Sequence, residues 1–157
     1  MRKVVALVVL SAFIGCSSID CPVENTVETV YYLYDSDGQR VTLTDSLSVL
    51  STRKDGTDTL ILNKVTEMSS FRLPMGYITA EDTLVFHLKN LNLEDTAWIR
   101  KENYPHFESV DCSASFFHTI TAVRTTHHFI DTLVVKNPSV TYDTSQAHFH
   151  LHFLSDD

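Results

Sequence analysis

Ala147-His148-Phe149-His150-Leu151-His152-Phe153 alternates apolar and histidine side chains without a break. Successive side chains of an extended strand point to opposite faces. The stretch therefore predicts a strand that buries Phe149, Leu151 and Phe153 and turns His148, His150 and His152 to the other face. A helix would scatter both sets around its circumference. Thr83 to Leu88 has the same form, with Leu84, Phe86 and Leu88 opposed to Thr83, Val85 and His87. One-sided burial of this kind belongs to antiparallel sheets that cover a core with one face.

Further runs rich in β-branched and aromatic residues lie on either side: Thr29 to Tyr34, Ser46 to Leu50, Leu60 to Leu62, Phe71 with Leu73, Thr96 to Arg100, Ser115 to Val123 and Ile130 to Val135. Turn residues separate them. Asp35-Ser36-Asp37-Gly38, followed by Val41 and Leu43, predicts one hairpin, and Lys54-Asp55-Gly56-Thr57-Asp58 predicts a second. Pro74 and Gly76 mark a further turn. Seven to nine short strands with no apolar pattern at helical spacing predict an all-β, antiparallel, immunoglobulin-like β-sandwich, with a closed β-barrel as the alternative.

The amino end is of another kind. Met1-Arg2-Lys3, an apolar run from Val4 to Ile14 broken by Ser11, then Gly15 and Cys16 follow the order of a lipoprotein signal peptide. The run is too short for a bilayer core, which takes roughly 20 helical residues. The expected organisation is a leader over residues 1–15, a lipidated tether over 16–26 that begins at Cys16, and a single domain over 27–157. Of 157 residues, the 15 of the leader leave 142, enough for one domain with a core. Removing Arg2 and Lys3 from 12 basic side chains leaves 10 against 20 acidic ones. Such a balance excludes a nucleic-acid surface and assigns membrane attachment to acyl chains rather than to a basic patch. With Cys16 lipidated, Cys21 and Cys112 are the remaining pair, and an oxidising envelope predicts a disulfide between them. It would close a loop of about 90 residues, worth about 4 to 5 kcal/mol at most.

His106-Phe107, Ser109, Asp111-Cys112, Phe116 to His118, Thr126-His127-His128-Phe129-Ile130-Asp131, Asn137-Pro138, Val140 and Tyr142-Asp143 form a pattern that resembles an uncharacterised family of Bacteroidota envelope lipoproteins, a domain of unknown function. Cys21 and the aromatic run Tyr31 to Tyr34 match it as well. The resemblance implies a β-sandwich and an envelope location and brings no activity; the expected site of the lipid anchor is the outer membrane, with the leaflet left open.

His148, His150 and His152 are the candidate metal ligands, because residues two apart on a strand lie close enough for imidazoles to converge on zinc or copper. A solvated face of the strand is the competing use. The adjacent pair His127-His128 points to opposite faces of any strand, and one of the two is expected to be buried against a backbone carbonyl or Asp131. Cys112 with His106 or His118 offers a nucleophile and a base only if the thiol is free. No nucleophile elbow, zinc helix or phosphate loop is present. Asp35-Ser36-Asp37-Gly38 has Ser46 where a calcium loop requires Glu. Tyr31, Tyr32, Tyr34 and Phe116-Phe117 are expected in the core, whereas an exposed Trp98 would offer a carbohydrate or partner contact. The functional expectation is a non-catalytic structural or binding lipoprotein without a cofactor, with an envelope protein or glycan as partner. A histidine-face metal binder and a cryptic hydrolase are the alternatives.

Overall fold

A computed structural model describes residues 27–155. The expected leader, the tether, Cys16 and Cys21 lie outside the described residues. Ten strands follow one another: β1 (Glu28–Tyr34), β2 (Leu47–Thr52), β3 (Asp58–Val65), β4 (Ser70–Pro74), β5 (Glu81–Leu88), β6 (Leu93–His106), β7 (Ser115–Thr125), β8 (Ile130–Val135), β9 (Ser139–Val140) and β10 (Phe149–Phe153). They form two sheets, β4-β1-β10-β8 and β3-β2-β5-β6-β7-β9. The result is a sandwich rather than a closed barrel, and no helix occurs among the described residues.

Alternation decides which face is inside. Leu84, Phe86 and Leu88 of β5 meet Tyr31 and Leu33 of β1, Phe71 and Leu73 of β4, and Phe149 and Leu151 of β10 in one core. Tyr31 stacks on Phe71 at 4.7 Å and on Phe149 at 4.9 Å, and meets Phe86 edge-on at 6.3 Å. This one ring joins three strands of the small sheet to the large sheet.

The second expected hairpin forms as read: β2 pairs with β3 around Gly56, whose φ of 81° suits glycine, and Arg53 N–H donates to Thr57 O. The first is cut to one bridge, between Tyr34 and Arg40, around the Asp35 to Gly38 turn. Both edges of β1 are already occupied, antiparallel by β4 and parallel by β10. The returning chain therefore leaves for the other sheet. The parallel β1 with β10 pairing departs from the expected all-antiparallel arrangement, and the long route between these strands supplies the crossover that a parallel pair requires. Its register sets Tyr32 beside His150 and Tyr34 beside His152.

Leu151 is fully buried between the sheets, whereas Leu60 on edge strand β3 is 50% exposed. Leu151→Ala is expected to cost about 2 to 5 kcal/mol, and Leu60→Ala about 0.5 kcal/mol or less. Urea melts of the two variants check this, and equal losses would contradict the assignment of the core face.

Candidate functional site

Each passage of the chain from one sheet to the other leaves backbone donors without a strand partner. Between β7 and β8 the answer is Asp95. Its side chain, buried on β6, accepts from the amides of His128, Phe129 and Ile130 at 2.8 to 3.0 Å and from Thr126 Oγ1 at 2.6 Å. Burial alone would raise its pKa, but the Phe129 amide, Thr126 hydroxyl and the other donors hold it below the ordinary aspartate value. His128 Nδ1 stands 3.0 Å from Asp95 Oδ1, and His127 Nδ1–H donates to Ile130 O at 3.1 Å. Contrary to expectation, both histidines are exposed, and the carboxylate partner is Asp95 rather than Asp131. They stand in the crossing loop, where strand alternation does not apply. Asp45, on the passage into β2, ties that passage to the β5 to β6 turn by accepting from Asn90 N–H and Leu91 N–H.

The crossing from β4 to β5 uses a second polar cluster. Lys101 on β6 has no exposed side-chain surface, and its Nζ lies 2.6 Å from Asp82 Oδ1. Burial lowers the lysine pKa although Asp82 opposes the shift. Asn103 donates to Tyr77 O and Thr79 O, and its Oδ1 accepts from Nδ1–H of buried His118 at 2.8 Å. That leaves His118 Nε2 unprotonated in an environment without a protein donor. Burial, with Lys101 close by, pushes the imidazole down to about 4. A cavity of about 580 Å³ lies between the β2 to β3 turn and residues 75–79, with Asp82 in its wall. Asp82 is already engaged there, by Lys101 and by Gly76 N–H.

The three alternating histidines do not share one environment. His148 is fully buried, one residue before β10 starts, and its Nδ1 accepts from Val30 N–H at 3.0 Å. This corrects its expected place on a solvated face: where β10 joins β1, the backbone still needs a partner for Val30. His150 and His152 do project from the outer face of the small sheet, half-buried, with centroids 6.4 Å apart. Tyr34 lies 4.4 Å from the first and 5.0 Å from the second. A tyrosine sandwiched between them would hold the imidazoles about 7 Å or more apart, two van der Waals layers. The ring therefore lies across both from one side. Among the described residues no three histidine, cysteine or acidic groups converge as metal ligands.

Around this aromatic group the face is cationic. The Arg40 guanidinium sits 3.8 Å over the Tyr32 ring and 5.6 Å from Tyr34. Burial chiefly, and then the charges of Lys136, His152 and Arg40, lowers the His150 pKa. Tyr32, Tyr34, Lys136, Gln146 and His150 line a recess of about 370 Å³. The arrangement can hold an anion or a polar chain, through fixed cations and ring edges.

A family model described as a family of unknown function, DUF6452, matches residues 46–153. The chain belongs to the DUF6452 family. No curated protein and no solved structure matches it. The stretch matched by the DUF6452 model contains Asp95, Lys101, His118, His150 and His152, while β1 and Arg40 lie outside it.

The other expected residues fall elsewhere. Cys112 is buried in the loop between β6 and β7. His106 pairs with Glu108 and stacks on Phe117, and His118 is committed to Asn103, so neither is poised as a base beside Cys112. Trp98 lies half-buried beneath Arg124, whose guanidinium is 4.0 Å from the ring. Phe116 and Phe117 are half-buried against Tyr77 and Tyr142, and Tyr32 and Tyr34 face outward rather than into the core. Asp35 caps its own turn by accepting from Gln39 N–H. Asp95, Lys101 and Arg40 escaped the sequence reading. Asp95 and Lys101 stand in register with Ala97 and Ile99 on the inward face of β6, and that break in an apolar alternation was the available signal.

The His118 pKa is about 4 in the fold, below the ordinary value of 6.5. The unfolded chain therefore takes up the proton first. The stability this residue contributes is complete above about pH 6.5 and is lost as pH falls toward 4. His148 and His150 shift in the same direction. The urea midpoint should decline from pH 7 to 4.5, and His118→Gln should flatten that decline whatever it does to the midpoint itself. An unchanged slope would contradict the buried neutral imidazole.

Proposed function

We propose that the chain is a lipoprotein of the Bacteroidota envelope, cleaved before Cys16, acylated there and held at the outer membrane. Its domain binds an acidic envelope partner, protein or glycan, without catalysing a reaction. The order of residues in the leader supports the anchor. Burial of Cys112 supports a bridge to Cys21. Against catalysis stands the use of the perturbed groups: Asp95, Lys101 and His118 are buried and hold sheet crossings, out of reach of a substrate.

One observation carries the binding assignment. In a chain of net charge −8, the cations Arg40 and Lys136 collect beside Tyr32, Tyr34 and His150 on an open sheet face. Like charges cost energy when gathered, so the cluster is explained by an opposite charge that meets it.

Arg40 and Lys136 are both exposed, and reversing them leaves the core untouched. The Arg40→Glu, Lys136→Glu double variant should fold with unchanged circular dichroism and lose the partner that wild type recovers from detergent-solubilised envelopes. Recovery of the same partner at the same yield would sink the assignment of this face.

A further inference from the structure

The end of the sandwich where β1 begins carries large apolar side chains in the open. Met75 N–H donates to Val27 O, and Glu28 pairs with Pro74, so the first described residues lie beside the segment that leads into β5. In that segment Ile78 is 88% exposed. Asn103 of β6 binds the carbonyls of Tyr77 and Thr79, and Tyr77 stacks on Phe116 of β7 at 4.3 Å. The segment thus lies against the far halves of β6 and β7. Beyond His106 and Ser115 the two strands are joined by a loop in which Phe107 is 62% and Val110 98% exposed. Ile78, Phe107 and Val110 therefore belong to one end of the molecule. They are the three most exposed large apolar side chains among the described residues.

We propose that this end rests in the interfacial layer of the bilayer to which Cys16 is anchored, with Ile78, Phe107 and Val110 inserted among the headgroups. The inference rests on the lipoprotein reading above. The described residues begin at this end, and a short stretch of chain joins them to Cys16. Ten residues separate Cys16 from Val27, and the chain from one to the other reaches at most about 40 Å when fully extended. They arrive at the apolar end. A bridge from Cys21 to Cys112 shortens the path, because Cys112 shares the loop with Phe107 and Val110. Four residues lie between Cys21 and Cys16, a reach of at most about 18 Å. The opposite end, with Leu91 and Leu154 beside Phe129, is the one toward which β1 runs, so the first described residues lie far from it.

Lipid is also the occupant that the side chains suit. Isolated apolar groups at loop tips, carried among polar neighbours such as Glu108 and Arg53, match a shallow interfacial insertion of about 5 to 10 Å. The loops hold too few contiguous apolar residues for a protein interface of ordinary size. With this end on the membrane, the strands of the small sheet stand away from the bilayer and Tyr34, His150 and Lys136 face sideways into the compartment.

The test uses the full-length, lipidated protein in vesicles of phosphatidylethanolamine and phosphatidylglycerol, some with brominated acyl chains. In a Trp98→Phe background a single tryptophan is placed by Val110→Trp, by Ile78→Trp or, on the small sheet's outer face, by Val134→Trp. All three sites are exposed in the native fold. Tryptophan at 110 and 78 should lose most of its emission to bromine, and tryptophan at 134 should keep it. If protein that carries the acyl mass and floats with vesicles shows no quenching at 110 and 78, the membrane-facing end is wrong and the lipoprotein reading stands. If the purified chain carries no acyl mass and does not float, both fall.

Discussion

The hydrogen bonds from the amides of His128, Phe129 and Ile130 to Asp95 are the contact on which the rest of the architecture depends. They hold the loop that carries the chain from β7 in the large sheet to β8 in the small one. Without a partner the amides of Phe129 and Ile130 would be buried and unsatisfied, at roughly 1 to 3 kcal/mol each. β8 in turn pairs with β10, and β10 with β1. The register that places Tyr34 across His150 and His152 is thus fixed from the far sheet through one carboxylate.

The same solution recurs at other places where the chain changes sheets. Asp45 receives the amides of the β5 to β6 turn, Asn103 and the Asp82 to Lys101 pair hold the passage into β5, and His148 receives Val30. Ionisable groups that would suggest an active site in a list of titratable residues are instead committed to backbone and to each other. Breaking such a buried pair is costly even where the intact pair adds little net stability. The face proposed for a partner lies outside the core, where Arg40 and Lys136 stand beside Tyr32 and Tyr34.

The sandwich was legible because period-two alternation carries through β5 and β10, where inward and outward residues differ in kind. Gly56 marked its hairpin for the same local reason. The parallel pairing of β1 with β10 was not legible, since no local feature of Thr29 to Tyr34 names a partner more than a hundred residues away. His148 shows the limit of pattern reading. It lies in phase with His150 and His152, yet it stands before the strand starts and answers to the backbone of β1. Arg40 belongs to the outer face only because a bridge returns it beside Tyr34. The membership in DUF6452 locates the domain among relatives and leaves its chemistry to be argued from these contacts.

The central claim is that the outer face of the small sheet is occupied in the envelope. Hydroxyl-radical footprinting tests it most directly, because tyrosine and histidine side chains report their own accessibility. Labelling is compared between the protein in intact envelopes and the same protein purified in detergent. Tyr32, Tyr34, His150 and His152 should be protected in envelopes, while His127 and His128, exposed on the crossing loop, should label equally in both. Equal labelling of Tyr34 and His152 in the two states would contradict the account.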